Sequence, residues 1–176
     1  MMNLISTIHA LDSLVAHFFL SLRTPLLTQV FELITMLGTP ITTTVITIIV
    51  AAIIYKKHHT YIIPLLTTAI GAGITIYATK IFFHRLRPRD ALITEKSFSF
   101  PSGHALISMA LYGLITYIIY RNYKKKSQKI TTISIGTLLI FLIGISRLYL
   151  GVHYFSDVIG GYLIGSIWLA IGIALI

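Results

Sequence analysis

Marking every Asp, Glu, Lys and Arg divides the chain into five long uncharged stretches: Leu33–Tyr55, His58–Thr79, Ser97–Tyr120, Ile130–Ser146 and Val158–Ile176. A helix rising about 1.5 Å per residue needs about 20 residues to cross a hydrocarbon core of about 30 Å, and about 17 at the lower limit. The stretch from Ile130, with 17 residues, is the tightest fit. Charged residues make up 11% of the chain and hydrophobic ones 56%, with a mean hydropathy of +0.87. Soluble domains carry about 25% charged residues, so a soluble, disordered or collagen-like chain is excluded. The expectation is an all-α polytopic membrane bundle forming one domain over residues 1–176, with an interfacial N-terminal segment (1–32) and a helical core (33–176).

Within the third stretch, Ser97, Ser99, Pro101, Ser102 and Gly103 read as a loop and helix start, because proline is tolerated only in the first turn. The N-terminal segment is apolar in parts but carries His9, Asp12, His17 and Ser21. Leu11, Leu14, Val15, Phe18, Phe19 and Leu22 recur at helical spacing and leave Asp12 and Ser13 on another face, the pattern of a helix lying in the interface. A sixth spanning helix is the alternative, at a cost of a few kcal/mol for each ionisable position at mid-bilayer. No basic n-region precedes an apolar core as in a signal peptide, and no internal repeat is present.

Fourteen Lys+Arg against five Asp+Glu give +9 and a pI near 9.9. In a membrane chain this balance describes basic cytoplasmic loops rather than a nucleic-acid partner. Lys56 and Lys57 end the first stretch, and Arg121, Lys124, Lys125, Lys126 and Lys129 join the third to the fourth. With both turns cytoplasmic, alternation puts 80–102, 147–157 and the N-terminal segment on the extracytoplasmic side. Lys80, Arg85, Arg87 and Arg89 then sit against the positive-inside rule, which demands a functional reason. Cysteine is absent, so disulfides, thiolate metal sites and cysteine nucleophiles are excluded.

That topology gathers Lys80, Arg87, Arg147, His104, His153 and Asp157 at one membrane surface. Three cations in a low-dielectric site need an anion, and guanidinium forks suit phosphate oxygens. Pro101-Ser102-Gly103-His104 adds outward N–H groups and a helix dipole favouring negative charge. The bland alternative for Lys80 and Arg87 is interfacial snorkelling onto lipid headgroups. His153 and Asp157 are four apart, so a helix beginning near His153 would put them on one face. The carboxylate would fix the imidazole tautomer and leave the other ring nitrogen as nucleophile or base. His104, beside the phosphate nest, can reach a leaving-group oxygen. His9, His17, His58 and His59 read as headgroup contacts.

These residues resemble the type 2 phosphatidic acid phosphatase superfamily, whose signatures are Lys-x6-Arg-Pro, Pro-Ser-Gly-His and Ser-Arg-x5-His-x3-Asp. Lys80 with Arg87-Pro88, Pro101 to His104, and Ser146-Arg147 with His153 and Asp157 match them in order. The flanking Phe98-Ser-Phe and Gly144-Ile segments are most similar to its bacterial phosphatidylglycerophosphate and undecaprenyl pyrophosphate phosphatases. Those relatives usually have six spanning helices where this chain shows five, which leaves open how lipid enters the site laterally and whether a second copy, in a homo-oligomer, covers the exposed flank.

The resemblance implies a multi-pass cell-membrane enzyme acting on a lipid phosphate or diphosphate, without metal or other cofactor. It makes His153 the nucleophile, Asp157 its support and His104 the general acid and then base. Lys80, Arg87, Ser102, Gly103 and Arg147 would hold phosphate. A phosphotransferase passing phosphate to a lipid or sugar acceptor would need the same residues, and a non-enzymatic membrane scaffold is the remoter alternative. A soluble vanadium haloperoxidase uses similar anion ligands but does not need five spanning stretches. Asp90 to Phe100, with Glu95, Lys96 and Phe98, is expected to shape the headgroup end.

Overall fold

The computed structural model describes residues 3–176, apart from the side chains of Leu4, Lys56 and Lys57. The side chains of the two lysines that were to mark one cytoplasmic turn therefore lie outside the described set. Helix α1 spans Leu4–Ser21, α2 Pro25–Met36, α3 Pro40–His58 and α4 Ile62–Phe83, the last entered through a 3-10 turn, His59–Tyr61. Helix α5 covers Gly103–Asn122, α6 Lys126–Tyr149 and α7 Phe155–Ala174. Among the described residues every regular element is helical. Four continuous helices, α4 with its leading turn and α5 to α7, are long and apolar enough to span a membrane.

The fifth candidate span is not one straight helix. Leu33–Tyr55, uncharged throughout, is split between α2 and α3, which meet at a bend of 48°. The reason is local: Thr39 and Pro40 open a new helix, with the Thr39 hydroxyl accepting from the Thr42 N–H at 3.3 Å and proline at the first position. Thr24 and Pro25 open α2 in the same way. The tight stretch at Ile130 is relieved differently. Helix α6 extends to 24 residues by taking in Lys126 and Lys129 at one end and the buried Arg147 at the other.

Helix α1 is shorter, and its large apolar residues Leu11, Leu14 and Phe18 are exposed while Asp12 is buried against the bundle. The apolar face meets the surroundings and the carboxylate points inward.

Helix α7 runs against α5 along a seam of small residues. A Cβ on Gly161 would come within 2.7 Å of the Ser102 carbonyl oxygen, and one on Gly165 within 2.5 Å of the Leu106 carbonyl. Lipid tails are as apolar as leucine, so close backbone approach rather than a hydrophobic drive holds such helices together. On the other side of α5, Leu106, Ala110 and Leu111 are fully buried against Leu65 and Ala72 of α4. Ser108–Tyr112 of α5 is π-helical, and from it the Tyr112 hydroxyl reaches 2.5 Å to the Leu37 carbonyl at the α2–α3 bend. The start of α5, the end of α6 and the start of α7 share one end of the bundle. The basic turn Arg121–Lys126 lies at the other.

Candidate active site

Each site residue is held by an element end. Lys80 sits in the last turn of α4, which His84 terminates in the left-handed region (φ 46°). The chain then runs without regular structure through Arg85 and Arg87 to Ser102, which caps α5 ahead of Gly103 and His104. Arg147 occupies the last turn of α6 and Asp157 the first turn of α7. The expected helix at His153 begins two residues later, at Phe155, so His153 lies in the connecting turn. Its contact with Asp157 survives because Asp157 folds back: Oδ2 accepts from the Tyr154 N–H at 2.9 Å and lies 3.4 Å from Nδ1 of His153.

Lys80, Arg87, Gly103, His104, Arg147 and His153 line one cavity of about 390 Å³. Asp157 lies behind His153, and Ser102 is buried at the start of α5 with its backbone N–H donating to the Asp157 carbonyl at 3.0 Å. The predicted residues are thus brought together. The cavity continues between α3 and α4, past Thr43, Thr44, Ala69, Gly73 and Tyr77. Nothing lies within 4 Å of a Cβ placed on Gly73. A larger groove of about 510 Å³ between α1, α6 and α7 is lined by apolar and aromatic side chains such as Leu14, Phe18, Phe141 and Phe155, and holds no charged residue.

The cations rest on protein acceptors. Lys80 Nζ donates to the Phe98 carbonyl. Arg87 donates to the carbonyls of Ser97 (2.7 Å) and Val152 (2.8 Å), and its Nη1 lies 3.2 Å from Nε2 of His153. Arg147, 1% exposed, donates to the Thr35 hydroxyl at 2.7 Å and pairs with Glu95, whose other oxygen is 3.8 Å from Arg87. Glu95 is therefore the anion of the resting site. Among the described residues, the unpartnered buried side-chain polar atoms are Ser102 Oγ, His104 Nε2, Arg147 Nε and His153 Nδ1, all at this site. Such groups cost about 1–3 kcal/mol each unless a ligand or water satisfies them.

Burial, and after it the positive charges of Arg147, Arg87 and Lys80, hold the His153 imidazole well below the usual histidine range. The ring is neutral at neutral pH. With Arg87 donating toward Nε2, the proton sits on Nδ1, facing Asp157. The 3.4 Å gap there is within ion-pair reach but is not an aligned hydrogen bond.

Four residues that the sequence reading gave no catalytic or phosphate-binding role also belong here. Arg85 donates to Asp157 Oδ1 at 2.5 Å and to Asp12 Oδ2 at 2.8 Å. Burial disfavours its charge, but the carboxylates of Asp157 and Asp12 outweigh that and raise its pKa above the ordinary arginine value. Thr35 and Gly38 come from the α2–α3 bend, where a Cβ on Gly38 would meet the His104 ring at 2.6 Å. The signals were present: a lone carboxylate in an apolar helix needs a partner, and Gly38-Thr39-Pro40 breaks a helix.

A family model of the PAP2 superfamily matches residues 60–176. Phosphatidylglycerophosphatase B of Bacillus subtilis (strain 168) is 31% identical over 165 residues, 91% of this chain and 80% of that one. Undecaprenyl-diphosphatase of Sulfolobus acidocaldarius is 32% identical over 125 residues, covering 67% of this chain and 56% of that one. The crystal structure of a transmembrane PAP2-type phosphatidylglycerolphosphate phosphatase from Bacillus subtilis superposes with a TM-score of 0.88 at 28% identity, over 96% of this chain and 85% of that one. Aquifex aeolicus LpxE superposes with a TM-score of 0.72 at 26% identity, over 90% and 92%. With the helical bundle and the three matched motifs already in place, these similarities show that the chain belongs to the PAP2 superfamily, as a multi-pass membrane protein.

Proposed function

We propose that this membrane enzyme removes the terminal phosphate of a lipid phosphate or diphosphate through a phosphohistidine on His153. The observation that carries this reading is the single cavity in which Lys80, Arg87 and Arg147 surround His153 and His104 and which opens between α3 and α4. Cations at one end and a groove among membrane helices at the other suit an amphiphile with a phosphate head. Polyprenyl diphosphate and phosphatidyl phosphates are the favoured classes, in keeping with the names of the similar proteins. The basic turn at Arg121–Lys126 supports a cytoplasmic location for that end and an extracytoplasmic one for the site.

In the first half of the reaction Nε2 of His153 attacks phosphorus as the bond to the leaving oxygen breaks, and His104 supplies that oxygen's proton. The imidazolium so formed is stabilised by Asp157 at Nδ1. In the second half His104 takes a proton from water, the water oxygen attacks phosphorus, and the P–N bond breaks to release orthophosphate and free His153. Lys80, Arg87, Arg147, Ser102 Oγ and the Gly103 N–H hold the nonbridging oxygens. Positioning and charge stabilisation of this kind dominate phosphoryl transfer, and the guanidinium groups do here what a divalent ion does elsewhere.

The test is orthophosphate release by purified protein in detergent with EDTA, across undecaprenyl diphosphate, phosphatidylglycerophosphate, phosphatidate and diacylglycerol diphosphate. Release above a His153→Ala blank is expected, together with a loss of about 10²–10⁴-fold in Asp157→Asn. Full activity in His153→Ala would overturn the nucleophile assignment. Phosphate appearing on an added alcohol instead of in solution would make the enzyme a transferase.

A further inference from the structure

Asp12 lies on a helix outside all three motifs, yet it is 4% exposed and fully engaged. Its Oδ1 accepts from the Ser156 N–H at 2.8 Å, and its Oδ2 accepts from the Ser156 hydroxyl and from Arg85 Nη2, each at 2.8 Å. Arg85 spends its other arm on Asp157 Oδ1 and on the Ser156 hydroxyl, with its guanidinium 4.3 Å above the Tyr154 ring. Asp157 thus has one oxygen taken by Arg85 and the other turned to the Tyr154 N–H and His153.

A guanidinium fork prefers to take both oxygens of one carboxylate. If Arg85 did that with Asp157, Oδ2 would be drawn away from Nδ1 of His153. Asp12 prevents it by occupying the second arm. Its bonds to Ser156, the residue preceding Asp157, also pin the first turn of α7 in register with α1.

We propose that Asp12 is a positioning residue for the reaction at His153, acting through Arg85 to keep Asp157 Oδ2 aimed at the imidazole. The inference rests on the roles proposed above for His153 and Asp157. It assigns the N-terminal helix a part in setting the chemistry.

The experiment compares wild type with Asp12→Asn, which keeps the shape and removes the charge that competes for Arg85. Groups that orient metal-bound histidines from behind cost about 10–100-fold when removed, and Asp12 is expected to act on the same scale. A fall in kcat of that size with KM within about twofold is expected, and no further fall when Asp12→Asn is added to Asp157→Asn. Carbethoxylation by diethyl pyrocarbonate, followed by mass spectrometry, should slow at His153 and stay unchanged at His104.

Wild-type kcat in Asp12→Asn, or losses that multiply fully in the double variant, would overturn the inference. If wild type releases no phosphate from any lipid, the phosphatase reading falls while the His153 carbethoxylation rate still decides the role of Asp12. Should Asp12→Asn not fold, Asp12→Ser removes the same charge with a smaller polar side chain. Unchanged kinetics and carbethoxylation in that folded variant would equally overturn the inference.

Discussion

Arg87 Nη1 stands 3.2 Å from Nε2 of His153, so the nitrogen proposed to attack phosphorus is already facing a fixed cation before substrate arrives. That contact requires an unprotonated Nε2. It adds to burial and to the charge of Arg147 in keeping the ring unprotonated, and it makes the phosphate that Arg87 would bind the neighbour of the nucleophile.

A pH prediction follows from the sign of that shift. His153 is held below the usual histidine value by burial and then by Arg147, Arg87 and Lys80. Protonation, and with it loss of the nucleophile, occurs only as pH falls through this lowered value. The acid limb of kcat/KM, which reports the free enzyme, should therefore lie below about 6.5 and move upward in Arg87→Gln, which removes one of the depressing charges. Paired pH profiles on one lipid cancel the ionisation of the substrate. An acid limb that is unmoved in Arg87→Gln would mean that it does not report His153.

Glu95 occupies Arg147 in the resting site, so substrate phosphate and the orthophosphate product must both compete with a carboxylate. Glu95→Gln is expected to tighten inhibition by orthophosphate about tenfold, equal to about 1.4 kcal/mol. Inhibition constants measured at fixed pH check this. Weaker inhibition would show instead that Glu95 holds Arg147 in its binding pose.

The seam between α5 and α7 sets where Ser102 stands relative to Asp157. Gly161→Ala pushes a methyl to 2.7 Å from the Ser102 carbonyl, which only a backbone shift can relieve. Overpacking of this kind costs about 1–3 kcal/mol. A lower thermal midpoint in detergent, together with reduced kcat, is the expected result. Gly73→Ala, whose added methyl meets open space, is the matched control for the thermal midpoint alone, because Gly73 lines the cavity.

His104 lies against Gly38, where an added Cβ would meet its ring at 2.6 Å. If His104 protonates the leaving oxygen, His104→Ala should lose about 10²–10⁴-fold on a lipid phosphate. With an aryl phosphate, whose phenolate leaves without a proton, a stoichiometric burst of phenol should remain. Gly38→Ala should show the same asymmetry in milder form. Equal losses on both substrates would sink the general-acid role.

Much of this site could be read from the chain because its residues lie in three short segments with fixed spacing, and because charge marks helix ends. What could not be read depends on contacts across the fold. The bond of Arg85 to Asp12 joins positions 73 apart, and no local pattern distinguishes Arg85 from Arg89, which is exposed. Thr35 reaches Arg147 only because the chain bends at Gly38 and Thr39, and a stretch scored by absence of charge looks continuous there. Glu95 was legible as a loop residue but not as the partner of Arg147, since an unstructured segment gives no periodicity to follow. His153 was placed at a helix start two residues early, yet its contact held because Asp157 caps the helix from within.

Helix α6 carries Arg147, proposed to clamp phosphate, at one end and the lysine-rich turn at the other, with only the 17 residues Ile130–Ser146 free of charge between them. At about 1.5 Å per residue that apolar length is about 25 Å, shorter than a hydrocarbon core of about 30 Å. Where the membrane thins beside α6, or Arg147 sinks beneath the headgroup plane, Arg147 would come to the depth of a lipid's ester region. Bilayer thickness is thereby expected to tune catalysis: in vesicles of increasing acyl-chain length the same enzyme should meet its substrate's phosphate at a progressively worse height.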